Sequence, residues 1–266
     1  MIQLPPDIDA VIATAWQATK DVPGYLLENE ARFIGMLAAC VPAKGTIVEI
    51  GSYKGRSTVM LAKVASHYRL GPIVSIDPHT HNLSLVHHGT PLPSTYDEFL
   101  SSLTKADVAK DVEIHRELST DVSPAWNRDI RFLWIDGDHT YEGAKADFDG
   151  FSPFLAKGGV VAFHDALNNF SGPIRVFVED VLRSNRFGPS GFVHSIAWAQ
   201  YQPNEASNFV ATRQKLERRA SRLIPFVESN QQLHGLRKKH YKFTRWMVPQ
   251  TSVTSSNLSR LLMPSS

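Results

Sequence analysis

The sequence predicts an α/β fold in which a mostly parallel, doubly wound sheet is covered by helices on both faces. Three observations lead there. Short apolar runs alternate with longer amphipathic ones from Thr46 to Leu182. The short runs are apolar on successive residues, as in strands buried on both faces of a parallel sheet. Two of them end in an acid that opens a Gly- or Pro-bearing turn, as expected where ligands sit beyond the carboxyl ends of strands. With 42% hydrophobic and 20% charged residues in 266, the composition is that of an ordinary globular chain.

The elements follow in order. Asp7 to Lys20 reads as a helix, broken by Pro23-Gly24. Tyr25 to Val41 reads as a second helix, with Leu26, Phe33, Leu37 and Val41 near helical spacing. Thr46 to Ile50 is the first strand. Ser57 to Tyr68 is a helix with Met60, Leu61, Val64 and Tyr68 on one side. Pro72 to Ile76, Val112 to His115, Arg131 to Ile135 and Gly159 to Phe163 are further strands. Thr95 to Leu103, Glu142 to Leu155 and Ile174 to Leu182 are the helices between or after them. Crossovers between parallel strands are expected to be right-handed. Phe192 to Ala199 and Asn208 to Thr212 read as two strands of a hairpin, joined through residues 203–207, that closes one edge of the sheet.

The segment Val48-Glu49-Ile50-Gly51-Ser52-Tyr53-Lys54-Gly55-Arg56-Ser57 is a strand ending in an acid, a glycine turn and a helix start. Glycine permits positive φ and close approach of a ligand. The helix N-terminus favours an anionic group such as a carboxylate. The spacing is G-x-x-x-G rather than the dinucleotide pattern, and Glu49 beside a pyrophosphate would be repulsive. Beside an ammonium or sulfonium it is favourable. Asp77 ends the next strand, 26 residues after Gly51, close to the offset at which an acid holds ribose hydroxyls.

Four segments occur in order: V-E-I-G-S-Y-K-G-R-S-T at 48–58, S-I-D-P at 75–78, I-D-G-D-H-T-Y-E at 135–142 and G-G-V-V-A-F-H-D at 158–165. Together they resemble the class I S-adenosylmethionine-dependent methyltransferases, and more narrowly the O-methyltransferase branch related to macrocin and catechol O-methyltransferases. The resemblance covers roughly residues 25–212. It implies a Rossmann-like sheet of seven strands with the last one antiparallel. It also implies S-adenosylmethionine as cofactor. Glu49, Gly51 and Gly55 would line its methionine side, with Ser52, Ser57 and Asp136 completing the set. Asp77 would hold the ribose, and Ser119 would lie near the adenine. Relatives often have Gly before that serine; this chain has Leu118.

Asp136, Asp138 and His139 follow the fourth strand of the series, and His164 and Asp165 follow the fifth. Neighbouring strands would open both loops onto one cleft. Asp136, His164 and Asp165 are candidate ligands of Mg²⁺ or another divalent cation, which would lower the pKa of an acceptor hydroxyl. Metal-dependent relatives more often carry two acids, or an acid and an amide, in the second loop, and His164 departs from that. His139 is the candidate general base, with Asp136 beside it in the catalytic set. A simpler role exists for Asp138 and Thr140, as caps of the helix near Tyr141. His79, His81, His87 and His88 share one loop that matches no closed zinc site and reads as a polar lid over the substrate.

Charge is divided unevenly. Residues 1–212 carry 17 Lys+Arg against 24 Asp+Glu, whereas residues 213–246 carry 10 against 2. The basic segment reads as a solvated helix on the acidic body or as a contact for an anionic surface: membrane, nucleic acid or acidic polysaccharide. No nucleic-acid-binding motif accompanies it. Four units are expected: an N-terminal helix over 1–24, the methyltransferase domain over 25–212, a basic helical segment over 213–250 and a disordered tail over 251–266. The single cysteine, Cys40, is a core filler rather than a nucleophile. No secretory signal or membrane-spanning run is read, so a cytoplasmic location is expected. The expected activity is methylation of a hydroxyl on a small molecule or glycan. The alternatives are a hydroxylase-like tailoring enzyme on the same fold and a non-catalytic cofactor-binding scaffold with an interaction tail. Assembly into an oligomer stays open.

Overall fold

In a computed structural model describing residues 2–80, 93–229 and 232–263, seven strands form one sheet in the order β3-β2-β1-β4-β5-β7-β6. They are β1 (Thr46–Ile50), β2 (Ile73–Ile76), β3 (Val112–His115), β4 (Ile130–Ile135), β5 (Leu155–Phe163), β6 (Phe187–Val193) and β7 (Ile196–Tyr201). The first five are parallel. β7, last in the chain, runs antiparallel to both of its neighbours. The chain winds outward from β1 to β3 and then returns to β4 on the other side of β1. The switch point, where such sheets bind ligands, is therefore between β1 and β4. Ile50 pairs with Ile76 and Ile135, and Ile135 with Phe163. The loops after β1, β2, β4 and β5 thus leave the sheet at one level.

Alternate residues of each strand serve opposite faces. On one face Ile47, Phe132, Trp134 and Ala162 meet α1 (Ile8–Thr19), α2 (Glu28–Cys40), α3 (Arg56–His67) and α4 (Tyr96–Lys105) through Ile12, Phe33, Leu37, Met60, Val64 and Phe99. On the other face Val48, Leu133, Val161 and Phe163 meet the single turn α5 (Ser119–Val122), α6 (Tyr141–Phe151) and α7 (Ser171–Val176), which widens into a π turn over Phe177–Leu182. Cys40 is buried in the first core, and burial pushes its thiol up to about 12.

The expected hairpin, domain bounds and disordered tail need correction. The hairpin is β6–β7, turned through His194-Ser195 with His194 at φ 54°. The apolar residues on both sides of His194-Ser195 hide this turn, which holds no Gly, Pro, Asn or Asp. Asn208 to Thr212 is not a strand: Ala206–Phe209 is a 3₁₀ turn leading into α8 (Val210–Ala220). The strong helix formers Gln, Lys, Leu, Glu and Arg that follow Thr212 carry that helix.

The boundary expected after Thr212 therefore lies inside α8. The next residue, Arg213, is buried, and its guanidinium donates to the carbonyls of Leu182, Phe187 and Ala206. The single turn α9 (Ile224–Val227) and α10 (Gly235–Trp246) follow. Leu216, Leu223, Val227, Tyr241 and Val248 complete the second core. At the other end, Ile8, Ile12 and Ala15 of α1 are part of the first core. The tail expected to be disordered forms α11 (Ser255–Leu261), with Leu258 and Leu262 buried in that same core. Gln200 of β7 bonds both backbone groups of Met263 (2.9 and 2.8 Å), and Ser255 Oγ donates to Asp9 Oδ2 (2.8 Å). Among the described residues, no helix is long and apolar enough to cross a membrane.

Candidate active site

A cavity of about 490 Å³ opens at the carboxyl ends of the parallel strands, within the usual range for a cofactor-sized ligand. Its floor is the turn after β1. Gly51 has φ 86°, and a Cβ there would stand 2.2 Å from the Asp136 carbonyl oxygen, so only glycine fits where this turn crosses the loop after β4. Gly55, at φ 92°, starts α3. Ser52 and Ser57 line the cavity beside Gly51.

Asp77 lines the cavity and also ties this turn down. Its Oδ2 accepts from the backbone amides of Ser52 and Tyr53 (2.8 Å each), and its Oδ1 accepts from the His79 amide (2.7 Å). Ser52 and Ser75 hydroxyls meet at 2.5 Å below. Glu49 differs from its expected place. It is fully buried behind the floor, its Oε2 accepting from Thr58 Oγ1 (2.6 Å), and burial pushes it up to about 7. It shapes the turn rather than lining the cavity.

Ser119 opens the one-turn α5 at the cavity edge, and its hydroxyl donates to Asp147 of α6. Burial pushes the Asp147 carboxyl up to about 6, despite that hydrogen bond. Asp147 escaped the sequence reading because it sits next to Phe148 on the apolar side of an amphipathic helix. A charged residue on that side was the available signal.

The loops after β4 and β5 do meet. His139 Nε2 lies 3.6 Å from Asp136 Oδ1 and 3.5 Å from Asp165 Oδ2, without a hydrogen-bond partner. Burial would depress this imidazole, but the two carboxylates outweigh it and push it up to about 9. Its ring packs on Phe170, 4.4 Å between centroids. Asp165 holds φ 55° and accepts from Asn168 Nδ2. Asp138 Oδ1 accepts from the Thr140 amide, and Thr140 Oγ1 caps α6 by accepting from the Gly143 amide (3.1 Å). The capping role expected of these two residues is filled by Thr140, while Asp138 holds the amide of the cap residue.

His164 stands behind this group. Its Nδ1 lies 3.0 Å from Asp136 Oδ1 and its Nε2 3.3 Å from Glu30 Oε2. Burial opposes the charged ring, yet the flanking carboxylates hold its pKa well above the usual value. Asp136 is held below the usual carboxylate range: burial would raise it, and His164 and His139 outweigh that. Glu30, on α2, also accepts from His194 Nδ1 (2.8 Å), the Ser195 amide (3.2 Å) and the Ser195 hydroxyl. A buried chain of charges therefore joins α2, β5, the loop after β4 and the β6–β7 turn. Its missed signal is Glu30 itself, an acid between Leu26 and Phe33 in an apolar stripe.

This arrangement corrects the expected metal triad of Asp136, His164 and Asp165. Both His164 nitrogens already face carboxylates, so the ring has no lone pair free for a cation. The gap between Asp136 and Asp165 is spanned by His139. Among the described residues, no three His, Cys, Asp or Glu side chains are arranged to hold a metal ion.

The N-terminal segment supplies an unexpected wall. Residues 23–26 line the cavity, held by Arg56 at the start of α3. Its guanidinium donates to the carbonyls of Val22 (2.6 Å), Leu26 (3.0 Å) and Lys20 (2.9 Å). Of the histidine loop, His79 is buried, its Nδ1 3.0 Å from Thr95 Oγ1 and its ring against Tyr96 and Phe99. His81, His87 and His88 lie outside the described residues.

A glycine turn after β1, an acid ending β2 and a polar group after β4 and β5 meet at one switch point. Residues 48–166 match the family described as "Methyltransferase domain". Solved structures share the fold. Cofactor-bound Rv0187 from MTB aligns with a TM-score of 0.54 at 20% identity, over 77% of this chain and 100% of that one. The O-methyltransferase NovP aligns at 0.57 with 13% identity, over 73% and 98%. The O-methyltransferase TomG from Streptomyces achromogenes, solved with S-adenosylmethionine and described as involved in tomaymycin synthesis, aligns at 0.51 with 18% identity, over 76% and 93%.

Proposed function

We propose that the protein transfers the methyl group of S-adenosylmethionine to a hydroxyl of a small molecule or glycan. The observation that carries this reading is one cavity lined both by Gly51, Ser52, Asp77 and Ser119 and by Asp136, His139 and Asp165. NovP and TomG, both described as O-methyltransferases, support an oxygen acceptor.

The chemistry is a displacement at the methyl carbon. The C–O bond forms as the C–S bond breaks, leaving S-adenosylhomocysteine, and the hydroxyl proton must go to a base. The sulfonium is already a good leaving group, so the protein's work is positioning and proton removal. Gly51 and Ser52, which line the cavity, would meet the cofactor's amino-acid portion, whereas Gly55 does not line it and gives its open side to Phe99 and Ser102 of α4. Asp77, with three backbone amides already on its carboxylate, has one acceptor site left, on Oδ1, for the ribose. Ser119 and Asp147 meet the adenine edge. His139, oriented by the Asp136 and Asp165 carboxylates, takes the acceptor proton when in its neutral form. Asp136 is held in place by His164.

The test is titration calorimetry with S-adenosylmethionine, then measurement of S-adenosylhomocysteine release across a panel of hydroxyl, amine and carboxylate acceptors. Cofactor binding followed by release with hydroxyl acceptors is expected. Binding without release from any acceptor would indicate a non-catalytic scaffold, and release confined to amines would overturn the oxygen assignment.

A further inference from the structure

α10 has two contrasting faces. The inner one is anchored: Tyr241 and Thr244 are buried, and the Tyr241 hydroxyl lies within bonding distance of the Leu167 (2.9 Å) and Asn168 (2.6 Å) carbonyls. The outer one is exposed and carries three large apolar side chains. Leu236, Phe243 and Trp246 are 82%, 57% and 77% exposed. Their spacing of seven and three residues places them on one helical stripe. The rings of Phe243 and Trp246 stack, 6.0 Å between centroids. Lys239 falls within the same stripe, with Lys238 and Lys242 beside it, all exposed.

We propose that this outer face docks on an anionic lipid surface, with α10 lying in the headgroup region parallel to the membrane. A helix that only met water would turn polar residues outward. Trp, Phe and Leu in a row with lysines alongside match an interfacial helix, whose apolar stripe enters the headgroup boundary while lysine stems reach up to lipid phosphates. Trp is a residue that favours this zone. Charge argues for the same partner and for one orientation. The chain has no Asp or Glu after Glu228, but it has Arg237, Lys238, Lys239, Lys242, Arg245 and Arg260. The body over residues 1–212 is net acidic, with 17 Lys+Arg against 24 Asp+Glu, and an anionic surface would repel it. A nucleic acid would meet the lysines but leave Leu236 uncovered. At 12 residues, or about 18 Å, the helix can lie on a bilayer but not cross it. The inner anchor means the face is formed before docking, so binding does not have to order the helix.

The experiment is co-sedimentation of the full chain with phosphatidylcholine vesicles, alone or with phosphatidylglycerol. The parent is expected to sediment with the anionic vesicles, to release as salt rises, and to ignore neutral ones. Phe243→Ala with Trp246→Ala, and separately Lys238→Gln with Lys239→Gln and Lys242→Gln, should each weaken sedimentation about tenfold or more. S-adenosylmethionine affinity and melting temperature should stay at parental values. Tryptophan emission should shift to the blue on anionic vesicles, and Trp246→Phe should lose that shift. Equal sedimentation with both vesicle types, or variants that sediment like the parent, would overturn the proposal. So would an oligonucleotide that binds this face in preference to vesicles. A dimer in light scattering that is lost in the aromatic variant would assign the face to a second copy of the chain.

Discussion

At the scale of single residues, Asp77, His139 and Asp147 each carry an expectation that can be measured. Asp77 lines the cavity while its carboxylate accepts three backbone amides. Asp77→Ala is therefore expected to weaken S-adenosylmethionine binding by about 1.5–3 kcal/mol, measured by calorimetry. Unchanged affinity in a folded variant would remove Asp77 from the cofactor site. His139 is pushed up to about 9. A base acts in its neutral form, so turnover is expected to rise with pH from neutrality towards that value. His139→Ala is expected to slow turnover by about 10²–10⁴-fold and to lose the rising limb. Because His139 and His164 already pair the two acids, turnover is expected to persist in excess chelator. Loss restored by Mg²⁺ or Mn²⁺ would place a cation where the His139 proton now sits. Asp147 gives a stability prediction. Its folded pKa, about 6, lies above the ordinary 3.8. Its contribution is thus fully present below pH 3.8 and lost as pH rises through 6. Asp147→Asn should keep the Ser119 bond and remove the penalty of burying a charge. It is expected to be more stable than the parent by roughly 2–3 kcal/mol at pH 8 but not at pH 4, compared by urea unfolding. Equal stability at both would show that Asp147 ionises freely in the fold.

At the scale of elements, α11 shows how a Ser-rich segment becomes ordered. Its composition resembles that of a disordered tail, yet Leu258 and Leu262 enter the first core and Gln200 receives Met263. Two leucines at helical spacing are enough once a pocket for them exists. Deleting residues 251–266 is expected to lower unfolding stability by about 2–5 kcal/mol, with the class I sheet and cofactor binding retained. A truncated protein as stable as the parent in urea would mean that α11 is not held in solution. The β6–β7 turn shows the reverse problem. His194-Ser195 holds no Gly, Pro, Asn or Asp, and both residues bond Glu30 from α2. A distant helix supports the turn.

At the scale of the whole molecule, the methyltransferase domain is not an independent body with appendages. α1 and α11 belong to the first core, while α8, α9 and α10 belong to the second. The wall over residues 23–26 is held by Arg56 from α3. Removing residues 213–266 is therefore expected to give a chain that fails to fold cooperatively, because Arg213, Leu216, Leu223, Val227 and Tyr241 would be missing from the faces they cover. A sharp thermal transition together with parental cofactor affinity in that truncation would show a core that ends near Thr212 after all.

Strand and helix alternation, the glycine turn after β1, Asp77 and the acids after β4 and β5 were legible in the sequence alone. Each depends on short-range rules: apolar runs of strand length, a backbone position open only to glycine, and a residue type at the end of a strand. The tertiary structure decided which groups touch. Glu49 went behind the floor, and His164 was taken up by Asp136 and Glu30 rather than left as a metal ligand. His139 came to lie between Asp136 and Asp165, and both chain ends joined the cores. These outcomes depend on contacts between residues far apart in the chain, such as Glu30 with Ser195 or Gln200 with Met263. The free energy of burying a charge or a leucine is set by whatever surrounds it in space, and local pattern does not contain that information.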